Sequence, residues 1–374
     1  MTEINIISFD VPLPANYGGV IDVFYRIKCF HNKGIKVHLH CFEYGRGKQA
    51  ELDKYCESVN YYKRKKSVHH HLHRLPYIVK SRTSRKLKTK LLQNDFPILF
   101  EGLHCCYLLN DLAFKDRFKI VRKHNIEHNY YNALASIETK AVERKYYKTE
   151  AKKLEKFEPI IKNAQLCLAI SETDLAYFRK TYPNTTSIFV PGFHANGHIN
   201  IKPGKGEYVL YHGNLSVSEN SNAVKFIIEK IHKDSNIPLK IAGLNPSKEI
   251  IALIQSHAYI ELIQNPSDTQ MNDLIANAQI NLLYTEQATG LKLKLLNVLY
   301  NGRHCIVNLK MVEGTSLGKL CTIDQNITEL KKSIKTAFNT EFSAEEIEIR
   351  KFLLEREYAN ETSYQKIIEA IKTS

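Results

Sequence analysis

Residues 284 to 297 combine groups suited to holding an anion. They read Tyr284-Thr285-Glu286-Gln287-Ala288-Thr289-Gly290-Leu291-Lys292-Leu293-Lys294-Leu295-Leu296-Asn297. The apolar run ending at Tyr284 reads as a strand, and helical periodicity starts near Gly290. Amides exposed at a helix start, backed by the helix dipole, attract phosphate. Gly290 lets a ligand approach the backbone closely. Lys294 and Asn297 follow at helical spacing, so they share a face with Gly290. That face offers amides, an ammonium group and a carboxamide, which suits a diphosphate with a ribose attached. The same residues also read as an ordinary amphipathic helix with two solvated lysines. In either reading Leu291, Leu295, Leu296 and Leu299 point inward.

Three other places carry candidate chemistry. Gly213-Asn214-Leu215 follows the strand-like run Tyr208–His212, and Gly18 and Gly19 follow the first strand. Each glycine is a phosphate-side candidate or an ordinary turn, and neither place matches the G-x-G-x-x-G dinucleotide fingerprint. Lys123-His124-Asn125-Ile126-Glu127-His128 follows a third strand-like run. A histidine, an amide and a carboxylate at a strand's carboxyl end stand where open parallel sheets bind ligands. A structural histidine reads there equally well. No G-x-S-x-G or H-E-x-x-H occurs, so hydrolase readings have no support.

The chain has 374 residues and a net charge of +14. Residues 1–200 hold 33 of the 53 Lys+Arg and 19 of the 39 Asp+Glu, so the whole excess lies there. It peaks between Lys63 and Lys90, with 11 basic residues and no acidic one. Lys63, Arg64, Lys65, Lys66, Arg82, Arg85 and Lys86 lead this run, with tyrosines and leucines between them. That mixture suits an anionic membrane surface or a lipid phosphate; nucleic acid fits it less well, and a solvated basic face also accounts for it. No apolar run reaches the length that spans a bilayer, and the N-terminus lacks a secretory pattern. These features lead us to expect a cytoplasmic protein, peripheral at the inner membrane face. The eight cysteines show no C-x-x-C spacing and read as reduced, buried small hydrophobes. His69-His70-His71 with His73 lacks acidic neighbours, and no metal site is expected.

The elements that must position these groups alternate. Strands are predicted at Ile4–Phe9, Ile35–Phe42, Pro97–Glu101, Lys119–Lys123, Leu166–Ile170 and Ser187–Val190, with a helix over Val20 to Asn32 and a long one over Tyr130 to Lys162. A Gly/Pro-rich polar stretch follows, read as the linker 193–205. The alternation then resumes with strands at Tyr208–His212, Leu239–Ala242, Ile260–Ile263, Ile280–Tyr284 and Cys305–Val307. Strands joined by helices predict an α/β chain of two doubly wound parallel sheets. The domains are placed at 1–192 and 206–357. Residues 358–374 are expected as a terminal helix packing back on the first domain.

Read together, these segments resemble the retaining glycosyltransferases of family four, which have the GT-B fold. Tyr17-Gly18-Gly19 resembles the family's N-terminal glycine loop, and His124-Asn125-Ile126-Glu127 the H-N-x-E of one branch. Tyr211-His212-Gly213-Asn214-Leu215-Ser216, with Asn220 and Ala223, is similar to the start of its nucleotide-binding domain. Ile241-Ala242-Gly243-Leu244-Asn245-Pro246, the stretch from Gly290 through Gly302 to Val307, and Glu313-Gly314-Thr315-Ser316-Leu317 match further motifs in order. The family's glutamate pair falls here on Thr289 and Asn297. Its Arg and Lys after the glycine are Asn214 and Asn220.

The resemblance implies two Rossmann-like domains facing each other across a cleft. It implies a metal-independent transfer, with retention, from a nucleotide-diphosphate sugar to a glycan or lipid-linked acceptor in cell-surface polysaccharide or glycoconjugate synthesis. No cofactor is implied. Donor contacts would come from Gly18, Gly19, Gly213, Asn214, Glu286, Thr289, Gly290, Leu291 and Asn297. Lys294 would balance charge on the leaving phosphate, and His124 would contact the sugar. The basic run 63–90 would face the acceptor or membrane. Two alternatives stay open: a nucleotide-sugar epimerase of the same fold, and a non-catalytic binder of nucleic acid or an anionic surface.

Overall fold

The computed structural model describes residues 1–286 and 292–373. The chain divides into two compact units, Met1–Ala195 with Tyr358–Ser374, and Asn196–Glu357.

The first unit is built on seven parallel strands: β1 (Glu3–Ser8), β2 (Lys36–Glu43), β3 (Ser58–Lys63), β4 (Ile98–Glu101), β5 (Lys119–Lys123), β6 (Leu166–Ala169) and β7 (Thr186–Phe189), in the order β3-β2-β1-β4-β5-β6-β7. The second has six: β8 (Val209–Asn214), β9 (Leu239–Leu244), β10 (Ile260–Gln264), β11 (Ile280–Leu283), β12 (His304–Val307) and β13 (Thr322–Ile323), in the order β10-β9-β8-β11-β12-β13. All pairings are parallel, as in Ile6↔Leu39 and Leu282↔Ile306. Helices cover both faces, so the central strands are buried and largely apolar: Ile4, Ile6 and Ile7 on β1 are fully buried. In both sheets the strand order reverses beside the unit's first strand, between β1 and β4 and between β8 and β11. Such switch points are where parallel sheets open a crevice at the strands' carboxyl ends.

Two strands lie outside the predicted set, β3 and β13. Both are edge strands, and β13 has only two residues. The predicted long helix over 130–162 is instead Glu127–Ile137, Ala141–Phe157 and a 3₁₀ segment Glu158–Asn163. Glu138 and Lys140 are extended, which separates the first two, and Pro159 lies in the first turn of the third. Ser171 caps the next helix by accepting from the Asp174 amide. In the second unit the helix Ser218–Phe226 continues as a π-helical turn, Ile227–His232. The last helix, Asn360–Thr373, belongs to the first unit. Its Ile367 is fully buried, Tyr364 packs on Phe30, and Asn360 exchanges hydrogen bonds with the His194 backbone.

The carboxyl end of β5 is anchored by a buried polar group. The Lys123 ammonium pairs with Glu127 and lies 3.8 Å from Glu158. Glu158 also accepts from Tyr177 and Tyr182 hydroxyls at 2.6 and 3.1 Å. Burial opposes the Glu158 charge, but His128, Lys123 and Tyr177 outweigh it and lower its pKa to about 2. A lowered carboxylate stabilises the fold above its unfolded pKa, and that contribution is lost as pH falls toward 2. Lys123→Met should therefore cost about 3–5 kcal/mol in denaturant unfolding at neutral pH, because it leaves two carboxylates buried without their cation. The cost should shrink in acid.

Candidate functional site

In the first unit the switch-point residues form a charged cluster. Asp22 sits on the helix Gly18–Asn32, among the buried Val20, Val23 and Phe24. Its carboxylate is 1% exposed and fully engaged. Arg122 of β5 donates from Nε to Oδ2 at 3.0 Å and from an Nη to Oδ1 at 3.2 Å. Arg26, one helical turn on, donates at 3.2 Å, and the Phe193 amide at 2.7 Å. Glu101, at the end of β4, pairs with Arg26.

His124 joins this cluster through one ring nitrogen. Nε2 lies 3.3 Å from both Asp22 Oδ2 and Glu101 Oε2. Phe9 stands edge-on to the ring, with centroids 5.5 Å apart. Burial is the largest influence on His124 and disfavours its charge, but the hydrogen bonds and charges of Asp22 and Glu101 outweigh it and raise its pKa. Asp22, Glu101 and His124 could geometrically hold a cation, since their ligand atoms lie within 4.8 Å of one another. The chemistry argues otherwise: both carboxylates already carry arginine partners, so a metal would meet two guanidinium groups.

Asp10, just past β1, accepts from the Tyr17 hydroxyl at 3.1 Å and the Val11 amide at 2.8 Å. Burial raises its pKa. Gly19 lies between Phe9 and Tyr17: a Cβ there would stand 2.7 Å from the Phe9 ring. Gly19 thus leaves room for the Phe9 ring beside it.

In the second unit the crevice residues converge on Lys294 and Asn220. The Lys294 ammonium donates to Asn220 Oδ1 at 3.3 Å and lies 5.7 Å from the centre of the Tyr211 ring. Asn220 donates back to the Asn214 carbonyl at 2.9 Å, tying the turn after β8 to the lysine. Gly213 packs against this amide, since a Cβ would lie 3.0 Å from it. His212 is buried, and burial with the nearby Lys294 lowers its pKa to about 3, so it is neutral. Burial, only partly opposed by Glu219, lowers Lys294 to about 8, and Lys292 is lowered too. Glu219 accepts from Thr285, whose backbone is held by Asn308 at 3.2 and 2.7 Å.

Several expectations need correction. The described helix is Leu293–Asn301, with Lys292 extended at its cap, rather than one starting near Gly290. Thr289, Gly290 and Leu291 lie outside the described residues. Asn297 lies on that helix, where it donates to Asn272 at 3.4 Å and accepts from Asn301 at 2.9 Å. Glu286 pairs with Tyr284 and Lys310. Arg82 does not belong to a basic surface. It is 6% exposed and donates to the Phe9 and Ile78 carbonyls at 2.8 and 2.7 Å, because a buried guanidinium must find acceptors. Ile78, Val79, Leu87 and Leu91, interleaved in the basic run, belong to the core. Arg64 is half-buried, stacked on Tyr44 at 4.1 Å. Lys63, Lys65, Lys66, Arg85 and Lys86 are exposed. Among the described residues no helix is long and apolar enough to cross a membrane.

Sequence reasoning missed Asp22, Arg26, Glu101, Arg122, Asp10 and Glu219. A signal existed for the first four: charged residues on helix and strand faces that must be buried.

No family model matches the chain. A protein of Klebsiella pneumoniae described as an uncharacterized 44.6 kDa protein in the cps region is 27% identical over 343 residues, covering 84% of this chain and 85% of that protein. Solved structures match over the full length. HepE of Anabaena, in complex with UDP and glucose, has a TM-score of 0.67 at 10% identity, covering 100% of both chains. A sucrose-phosphate synthase from Thermosynechococcus elongatus gives 0.70 at 13%, also covering 100% of both. TarM of S. aureus, in complex with UDP and α-GlcNAc-glycerol among others, gives 0.65 at 12% over 99% of each chain. The fold is GT-B, with two Rossmann-like units.

Lys294 yields a pH signature. A diphosphate favours its charged form, so binding should take up a proton wherever the free amine is neutral. Affinity for a nucleoside diphosphate should fall about tenfold per pH unit above pH ~8. Calorimetry in buffers of different ionisation enthalpy checks this, and Lys294→Ala should abolish the slope.

Proposed function

We propose that this chain is a retaining glycosyltransferase that uses a nucleotide-diphosphate sugar and needs no metal. The observation that carries the proposal is the Lys294–Asn220–Gly213 arrangement at the switch point of a GT-B second unit. The UDP complexes of the full-length structural matches support the same reading.

In this reading the donor diphosphate lies against Lys294, with Lys292 nearby and the turn Gly213–Asn214 supplying backbone dipoles. As the glycosidic bond stretches, negative charge grows on the leaving phosphate, and a preorganised ammonium favours that state over the ground state. The acceptor hydroxyl attacks from the same face and loses its proton to the leaving phosphate oxygen, so no glycosidase-type carboxylate pair is required. Glu286, or Glu219, would take a sugar or ribose hydroxyl in place of the family's glutamates. The first unit, which carries the net positive charge, would hold an anionic acceptor, such as a lipid-linked glycan. The exposed Lys63, Lys66, Arg85 and Lys86 would face an anionic membrane surface.

A thermal-shift panel of UDP, GDP, CDP and ADP tests the donor side. One diphosphate should raise Tm by several degrees at saturation, with or without chelator, and Lys294→Ala should remove the shift. No shift with any of the four would favour the binding-module alternative. On the acceptor side, charge reversal at Lys63, Lys66, Arg85 and Lys86 should abolish sedimentation with phosphatidylglycerol vesicles at physiological salt. Unchanged sedimentation would remove the membrane role.

A further inference from the structure

The cluster around His124 holds more than the proposed function uses. A histidine that merely contacts a sugar needs no buried carboxylate, and this one has two on a single nitrogen. We propose that Asp22 is a positioning residue: together with Glu101 it fixes the imidazole through Nε2, so that the ring presents Nδ1–H as a charged donor to a ligand oxygen on the first unit.

Three observations lead there. First, Nε2 lies 3.3 Å from a carboxylate oxygen on each side, so the proton on that nitrogen is held by both acids. Nδ1 has no hydrogen-bond partner among the described residues, and the side chain is 15% exposed. The ring therefore has one committed end and one available end. Second, the charges facing the ring balance without it. Asp22 and Glu101 carry two negative charges, and Arg26 and Arg122 two positive ones. His104, across Phe9, is kept neutral chiefly by burial. A protonated His124 makes the cluster net positive by one. Third, Asp22 has no spare capacity. Arg122 and the Phe193 amide lock its orientation, so it cannot swing away from the ring.

A cation held in this way would repel a sugar carbon developing positive charge. It would favour an oxygen that carries negative charge, such as a phosphate or carboxylate oxygen of the acceptor or transferred sugar. This narrows the sugar contact that the sequence resemblance implies for His124 to an oxygen that carries negative charge. It rests on the transferase reading for its kinetic consequence but not for the state of the ring.

The test is a titration of ¹⁵N-histidine-labelled full-length protein by NMR, followed by kinetics. In the wild type, His124 should titrate above the ordinary imidazole range. In Asp22→Asn it should fall by at least one pH unit, and Asp22→Glu should recover part of the loss. The alkaline limb of the kcat profile should move down by the same interval, with KM for the nucleotide sugar changed less than twofold. A simple packing role would lower Tm without moving the titration. If Asp22→Asn does not fold, Glu101→Gln gives the same readout, since that side chain engages only Arg26 and His124 among the hydrogen bonds described. An unchanged His124 titration in a folded variant overturns the proposal. A shifted titration in a protein that transfers no sugar leaves the proposal standing and removes the transferase reading instead.

Discussion

Burying a carboxylate is costly unless its oxygens are met, and Asp22 is where this chain meets that cost. Its two oxygens take a bidentate arginine, a second arginine, an imidazole and a backbone amide. Those partners come from the helix after β1, from β5, from the loop after β5 and from the segment after β7. Glu101 of β4 joins through Arg26 and His124. One buried charge thus ties the carboxyl ends of β1, β4 and β5 to the chain leaving the sheet. The hydrophobic core fixes the sheet, but it is non-directional. The ionic cluster fixes where the crevice residues point.

The second unit solves a different problem with fewer charges. Asn214 and Asn220 stand where the glycosyltransferases that the sequence resembles carry Arg and Lys, and the amide of Asn220 takes a linking position. Charge compensation is left to one or two half-buried lysines. Burial that lowers Lys294 to about 8 also strengthens its field at a bound phosphate, because the local dielectric is low.

The fold was legible because both sheets are parallel and buried on both faces. Such strands show as short apolar runs, and β1, β4, β6 and β11 stood out for that reason. β3 did not: Ser58-Val59-Asn60-Tyr61-Tyr62-Lys63 is half-buried at an edge, and its polar residues hid it. The basic run misled for a related reason. Linear charge density does not show that Arg82 turns inward to two backbone carbonyls while Lys86 stays in water. His124 was legible from its place after a strand. Asp22, Glu101 and Arg122 showed only as charges inside apolar segments; what they pair with could not be read, because Arg26 for Glu101, Asp22 for Arg122 and Phe193 for Asp22 lie 75 to 171 residues away in sequence. Glu219 escaped notice because its relation to Lys294 is created only by folding.

The central claim is that the second unit activates a nucleotide-diphosphate sugar. Many transferases hydrolyse their donor slowly when no acceptor is present, and this requires no knowledge of the acceptor. The direct measurement is ³¹P and ¹H NMR of the protein incubated with a panel of nucleotide sugars in the presence of chelator. The account expects one donor to give nucleoside diphosphate and a sugar released first in the donor's own anomeric form. Release of nucleoside monophosphate, inversion of the anomer, or no cleavage of any donor by protein that also fails to bind diphosphate would contradict it.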